Sequence, residues 1–144
     1  MINSVEKINL SFEKNYQDIF KKPELIQTYL NQRSNKFDQI IIKEFLHREL
    51  ETDFAIVALG GYGRKELFPS SDIDLSIIQL KPKTDKIEDI KDFIGWLWTL
   101  KVKVGHSVRT IKDIEKITKS DLKEFTSYLS YRIIFCKKNK LPSL

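Results

Sequence analysis

The sequence predicts an α+β fold, α/β-like in its local order, in which a small mixed sheet is flanked by helices. Three observations carry this reading. Two β-rich apolar runs, FAIVAL at 54–59 and IDLSIIQL at 73–80, stand on either side of a glycine turn and a short polar connection. An amphipathic pattern at 87–98 has the helical period, and its length suits a crossover onto a sheet. A further short apolar run at 101–104 follows it and supplies another strand.

Residues 1–50 read as a helical segment packing on the core. Ser11 suits a helix cap, with Phe12, Tyr16, Ile19 and Phe20 at helical spacing after it. Pro23 fits the first turn of a second helix through Leu25, Ile26, Tyr29 and Leu30. The polar stretch 31–35 is expected to break or bend that helix. Phe37, Ile40, Ile41, Phe45 and Leu46 then resume the period.

The run at 54–59 ends at Gly60-Gly61, and Gly63 follows. Glycines here can take positive φ and leave backbone N–H groups uncovered, a suitable seat for phosphate oxygens ahead of a short helix beginning near Arg64. Arg64 offers a bidentate fork for phosphate or carboxylate. Ser71 suits either a turn cap or a phosphate contact. Asp72 and Asp74 are two apart at the start of the next strand, so they project together while Ile73 and Leu75 turn to the core. Two adjacent carboxylates repel unless a cation or a shared proton intervenes. With oxygen ligands alone, and no Cys or His nearby, the expected cation is Mg²⁺.

Residues 81–85, KPKTD, form the clearest loop. Ile87, Ile90, Phe93, Ile94, Leu97 and Trp98 then trace one helical face. The strand at 101–104 places Val102 and Val104 on one side and Lys101 and Lys103 on the other, and leads into Gly105-His106-Ser107-Val108-Arg109-Thr110. A helix is predicted near 111–117. Ser120 is the expected cap of a last helix, with Glu124 near the capping-box position and Leu122, Phe125, Leu129, Ile133 and Ile134 as its apolar face. Residues 138–144 read as a basic, frayed tail.

Composition narrows the classes. At 41% hydrophobic and 31% charged, the chain has the balance of one globular domain. No apolar run is long enough to cross a bilayer, and the first ten residues lack a signal-peptide core. One cysteine, Cys136, leaves no internal disulfide and no zinc set, and reads as a packed thiol. Together these point to the cytoplasm. A net charge of +5 suits an anionic ligand. The lysines are scattered, with no basic stripe among aromatics, which argues against a nucleic-acid surface.

The string Leu59-Gly60-Gly61, ten residues, then Asp72-Ile73-Asp74-Leu75 resembles the signature of the DNA polymerase β-like nucleotidyltransferase superfamily. The longer string Gly60-Gly61-Tyr62-Gly63-Arg64-Lys65-Glu66-Leu67, continuing through Pro69-Ser70-Ser71-Asp72-Ile73-Asp74, is narrower. It resembles the N-terminal transferase domain of the bifunctional uridylyltransferase/uridylyl-removing enzymes. Gly105-His106-Ser107-Val108-Arg109-Thr110 matches a second block of that family. The resemblance covers roughly residues 35–137 and implies a polymerase β-type core, placed here at 51–137.

The activity implied is Mg²⁺-dependent transfer of UMP from UTP to a tyrosine of a PII-type nitrogen regulatory protein, with pyrophosphate released and Mn²⁺ as an alternative ion. Asp72 and Asp74 are then the catalytic, metal-holding pair. Gly60, Gly61, Gly63, Arg64, Ser71, Ser107 and Arg109 become nucleotide contacts. His106 either fixes local hydrogen bonds or touches the nucleotide. The implied setting is bacterial and cytoplasmic, without membrane or nucleic acid.

Two departures qualify the resemblance. Where the family has an acidic residue just before the second block, this sequence has Lys103. A lysine there leaves nucleotide binding through Asp72, Asp74 and one Mg²⁺, with transfer slowed or lost. The competing expectation is therefore a catalytically weak or inactive relative that binds nucleotide or protein. The second departure is length. The only histidines, His47 and His106, make no hydrolase-type His-Asp pair, so the removing activity is expected to be absent from this chain.

Overall fold

The structure, a computed structural model, describes residues 7–8, 21–137 and 141. The helix expected over 11–20 and nearly all of the basic tail lie outside these residues. Sequence order brings first a 3₁₀ turn at Pro23–Leu25 and then helix α1, Ile26–His47. Strand β1, Phe54–Ala58, short helix α2, Gly60–Gly63, and strand β2, Ile73–Gln79, follow. After them come helix α3, Ile87–Trp98, strand β3, Val104–Thr110, helices α4, Ile111–Ser120, and α5, Leu122–Tyr128, and strand β4, Arg132–Phe135.

The four strands form one mixed sheet in the order β3-β2-β1-β4, with β2 and β3 parallel and the other pairs antiparallel. A parallel neighbour needs a crossover, and α3 provides it. The predicted α+β class, with a small mixed sheet flanked by helices, is the class observed.

The pleat sends alternate residues into two separate cores. Phe54, Ile56, Ile73, Leu75 and Ile77 face α1 and α3, where Phe37, Ile41, Phe45, Phe93 and Leu97 are buried against them. Phe45 meets Phe93 edge-on at 5.7 Å between ring centroids. Ala55, Val57 and Ile78 face the other way, onto Ile114 of α4 and Tyr128 of α5. Asp74 and Ser76 alternate with the first set, so they share the second face.

Several local expectations are corrected. Helix α1 runs unbroken through 31–35, because Arg33 and Ser34 turn inward while Gln27 donates to Asn31 at 2.9 Å and Lys65 to Asn35 at 3.0 Å. Trp98 does not join the buried face of α3 but is 63% exposed. Residues 101–102 are a bend, and the strand begins only at Val104 and is the glycine-histidine block itself. Helix α5 is capped by Asp121, whose carboxylate accepts from the amides of Lys123 and Glu124, and not by Ser120. That helix ends at Tyr128. Ile133 and Ile134 belong to β4, paired with β1. Cys136 is partly buried against the second core. Among the described residues no helix is long and apolar enough to cross a membrane.

Candidate active site

The site forms where β1 ends and β2 and β3 begin, on the face covered by α4 and α5. Leu59 closes β1 by donating its N–H to the Asp74 carbonyl at 2.9 Å, which fixes the glycine turn beside the start of β2. The glycines do not precede a helix, as the sequence reading had it. Gly60–Gly63 is itself the helical turn, entered from an extended Leu59. Gly60 alone of these takes positive φ, +56°. Among the described residues, no turn, loop or cap hydrogen bond uses the amides of Gly60, Gly61 or Tyr62.

The three glycines have different reasons to be glycine. A Cβ on Gly63 would lie 2.2 Å from the Ser130 carbonyl oxygen and 2.9 Å from that of Ala58, so this residue is required by packing. A Cβ on Gly61 would have ordinary contacts at 3.7 Å or more. On Gly60 the nearest atom would be Asp74 Oδ2 at 3.5 Å.

Ile73 and Leu75 are 1% and 2% exposed, and Asp72 and Asp74 stand together on the other side of the strand. Asp74 lies opposite Gly105 in the β2–β3 register. Burial, with the neighbouring Asp72 charge adding to it and Lys103 opposing, holds the Asp74 carboxyl above the ordinary aspartate range. Lys103 Nζ is 3.3 Å from Asp72 Oδ2. The pair has the oxygen chemistry Mg²⁺ prefers, and a cation would relieve the charge that burial penalises at Asp74. Among the described residues no set of three or more His, Cys, Asp or Glu could hold a metal. The two carboxylates fit a hard divalent cation and leave most of its coordination to groups other than these side chains.

An open cleft of about 320 Å³ begins at Gly60 and Asp74 and runs past Gly105, Ser107 and Arg109 to Glu124, Ser127 and Tyr128. Arg109 donates to both carboxylate oxygens of Glu124, at 3.1 and 3.3 Å. Ser76, fully buried, shares a 2.8 Å hydrogen bond with the Tyr128 hydroxyl and accepts from Ser107 at 3.4 Å. Strand alternation puts the exposed His106 with Val108 on the opposite face from Ser107 and Arg109, and its ring sits 5.6 Å from that of Trp98.

The structure thus brings Gly60, Asp74, Ser107 and Arg109 into one cleft, which His106 also lines, with Asp72 and Gly61 adjoining in the chain. Arg64 and Ser71 do not line it. The Arg64 guanidinium is held by Glu66 at 3.0 Å and by Ser130 at 3.1 Å. Ser71 donates its amide to the Phe68 carbonyl at 2.9 Å.

Sequence reasoning missed Glu124 and Tyr128 as cleft groups, and with them the buried Ser76 that hydrogen-bonds the Tyr128 hydroxyl. The only available signal was a hydroxyl in the middle of an apolar strand. It also missed a support beneath the glycine turn. Arg132 of β4 donates to both oxygens of Asp38 on α1, at 2.6 and 3.2 Å, and to the Tyr62 carbonyl at 3.1 Å. The Tyr62 hydroxyl donates to Asp38 at 2.5 Å, and burial followed by the Asp38 charge pushes that hydroxyl's pKa well up.

A family model described as a nucleotidyltransferase domain matches residues 39–139. The chain is similar to the bifunctional uridylyltransferase/uridylyl-removing enzyme of Pseudoalteromonas translucida, at 38% identity over 83% of this chain and 14% of that protein. The enzyme of the same name from Photobacterium profundum is 42% identical over 71% of this chain and 12% of its own length. That from Cupriavidus pinatubonensis is 34% identical over 76% of this chain and 13% of its own. The chain therefore spans only 12 to 14% of these curated relatives.

Proposed function

The chain belongs to the nucleotidyltransferase domain family, and on that footing we propose that it binds a nucleoside triphosphate, UTP first, and transfers its nucleotidyl group to a hydroxyl acceptor. The observation that carries the reading is the Asp72–Asp74 pair at the mouth of a cleft whose walls offer free glycine amides, a serine hydroxyl and an arginine. UTP is the proposed donor because the relatives are named uridylyltransferases. The proposed acceptor, from the motif resemblance, is a tyrosine on a PII-type regulatory protein. The proposed setting is the cytoplasm of a bacterium.

In this mechanism Asp72 and Asp74 would hold one Mg²⁺, or Mn²⁺ in its place, and the chemistry it would supply there is neutralisation of phosphate charge. The amides of Gly60 and Gly61 cradle phosphate oxygens at no reorganisation cost when charge develops. Ser107 and Arg109 orient the nucleotide along β3. Arg109 must exchange part of its Glu124 pairing for the ligand. The acceptor oxygen attacks the α-phosphorus in line, a new P–O bond forms, and the bond to the β-phosphate oxygen breaks. Pyrophosphate leaves and the acceptor proton passes to solvent. The chain's own part is positioning and charge compensation.

A second reading is nucleotide binding without transfer, favoured by the positive Lys103 beside Asp72. The test is calorimetry of Mg²⁺-dependent UTP, ATP, CTP and GTP binding, with Asp72→Asn/Asp74→Asn as control, followed by transfer from labelled UTP to a PII-type protein. Carboxylate-dependent UTP binding with label transfer supports the first reading, and binding without transfer the second. Failure to bind any triphosphate rejects both.

A further inference from the structure

Lys103 is built into the carboxylate pair by main chain as well as by charge. Its carbonyl accepts the Ile73 N–H at 2.9 Å, which fixes Lys103 in register with the residue between the two aspartates. Its ammonium lies 3.3 Å from Asp72 Oδ2. Gly105, two residues on, leaves the gap that Asp74 Oδ1 occupies, since a Cβ there would come within 2.5 Å of that oxygen. Lys103 and Gly105 therefore flank the pair from the same side of the β3 edge. Among the described residues, no third carboxylate, imidazole or thiolate joins them.

We infer that Lys103 places an ammonium, and no metal ligand, beside the Asp72–Asp74 pair, so that this site takes one divalent ion with its nucleotide and not two. The inference rests on the nucleotide-binding reading above. A two-ion site sets its ions about 3.5–4 Å apart and needs carboxylates enough to bridge and balance both. Here two carboxylates already face an ammonium, and one divalent ion reverses the remaining charge of these three side chains. A second ion would find no protein ligand of its own and would depend on the nucleotide's phosphates alone.

The lysine side chain is 82% exposed on a flexible stem, so its direct ion pair with Asp72 is weak. A displaced lysine still provides no metal ligand, so the ion count holds whether or not the ammonium stays in contact. At water-like screening, a unit charge about 5 Å from a divalent ion weakens binding by about tenfold.

The experiment is to count Mn²⁺ per chain by electron paramagnetic resonance and calorimetry, with and without a non-transferable α,β-methylene UTP. Wild type is expected to hold one Mn²⁺ with the analogue. Lys103→Glu is expected to hold two. Lys103→Gln is expected to stay at one, with Mn²⁺ affinity in the absence of nucleotide about tenfold tighter. Circular dichroism checks that each variant is folded, as substitution of an exposed side chain just ahead of β3 predicts. Two ions on wild type, one on Lys103→Glu, or no gain in Lys103→Gln would each overturn the role of Lys103 while leaving the nucleotide reading standing. Absence of both Mn²⁺ and analogue binding would remove the nucleotide reading itself, and this inference with it.

Discussion

Gly105 faces Asp74 across the parallel β2–β3 pair, and a Cβ at Gly105 would stand 2.5 Å from Asp74 Oδ1. The aspartate carboxylate thus occupies space that only a glycine on the neighbouring strand leaves open. Gly60 faces the other carboxylate oxygen, at 3.5 Å from its own would-be Cβ. The position of one charged group thus depends on the Cβ that Gly105 lacks, while Gly60 leaves ordinary contact distance on the other side.

Gly105→Ala should therefore move Asp74 without unfolding the protein. The clashing atom is the end of a side chain, which can rotate, and not backbone. The expected result is a melting temperature within a few degrees of wild type and a loss of Mg²⁺-dependent UTP affinity of about tenfold, roughly 1.4 kcal/mol. Unchanged affinity in a folded Gly105→Ala protein would show that the ligand does not depend on where the Asp74 carboxylate points.

The glycine turn yields a sharper contrast. Gly63 abuts two carbonyl oxygens of the main chain, which cannot step aside, whereas Gly61 has room. Gly63→Ala should destabilise by about 2–3 kcal/mol, in the range for overpacking of a tight site. Gly61→Ala should melt like wild type and weaken triphosphate binding, because its methyl group crowds the uncovered amides. Chemical denaturation of both variants decides it. Equal stabilities would mean that the Gly63 contact with Ser130 relaxes easily.

The pH dependence of Asp74 has a definite sign. Burial, then the Asp72 charge, raises its folded pKa above the unfolded value of about 3.9. The fold therefore favours the protonated form. This contribution is fully present below the unfolded pKa and is lost as pH rises through the folded one. Asp74→Asn, neutral throughout, should melt higher than wild type near pH 7 in chelator, with the gap closing as pH falls toward about 4. Thermal scans across that range test it. A less stable Asn variant at neutral pH would mean that the ionised carboxylate stabilises the fold.

What was legible in the sequence was local. Asp72 and Asp74 share a face because of a two-residue period, and Ile73 and Leu75 are buried for the same reason. The β4 strand was not legible, because Leu122, Phe125, Leu129 and Ile133 fall at helical steps and a four-residue edge strand is too short to show its own period. Leu122 and Leu129 prove 77% and 66% exposed, so the apparent helical stripe was not a buried face. The cap at Asp121 was missed by one residue. Arg132 and Asp38 are 94 positions apart, and no pattern along the chain could pair them.

That distant pair supports the last prediction. Asp38 receives three hydrogen bonds, two from Arg132 and one from the Tyr62 hydroxyl, and Arg132 also holds the Tyr62 carbonyl. These contacts tie α1, the glycine turn and β4 together beneath the cleft. The two charged side chains are only 21% and 14% exposed, so removing one leaves the other poorly solvated. Asp38→Ala should cost about 2–3 kcal/mol, somewhat below the range for fully buried pairs. Tyr62→Phe should cost about 1 kcal/mol, since Asp38 keeps Arg132. In urea unfolding the order should be wild type, Tyr62→Phe, Asp38→Ala. If Asp38→Ala proved as stable as Tyr62→Phe, the aspartate would have no role beyond accepting the tyrosine proton, and the clamp on the glycine turn would have to lie elsewhere.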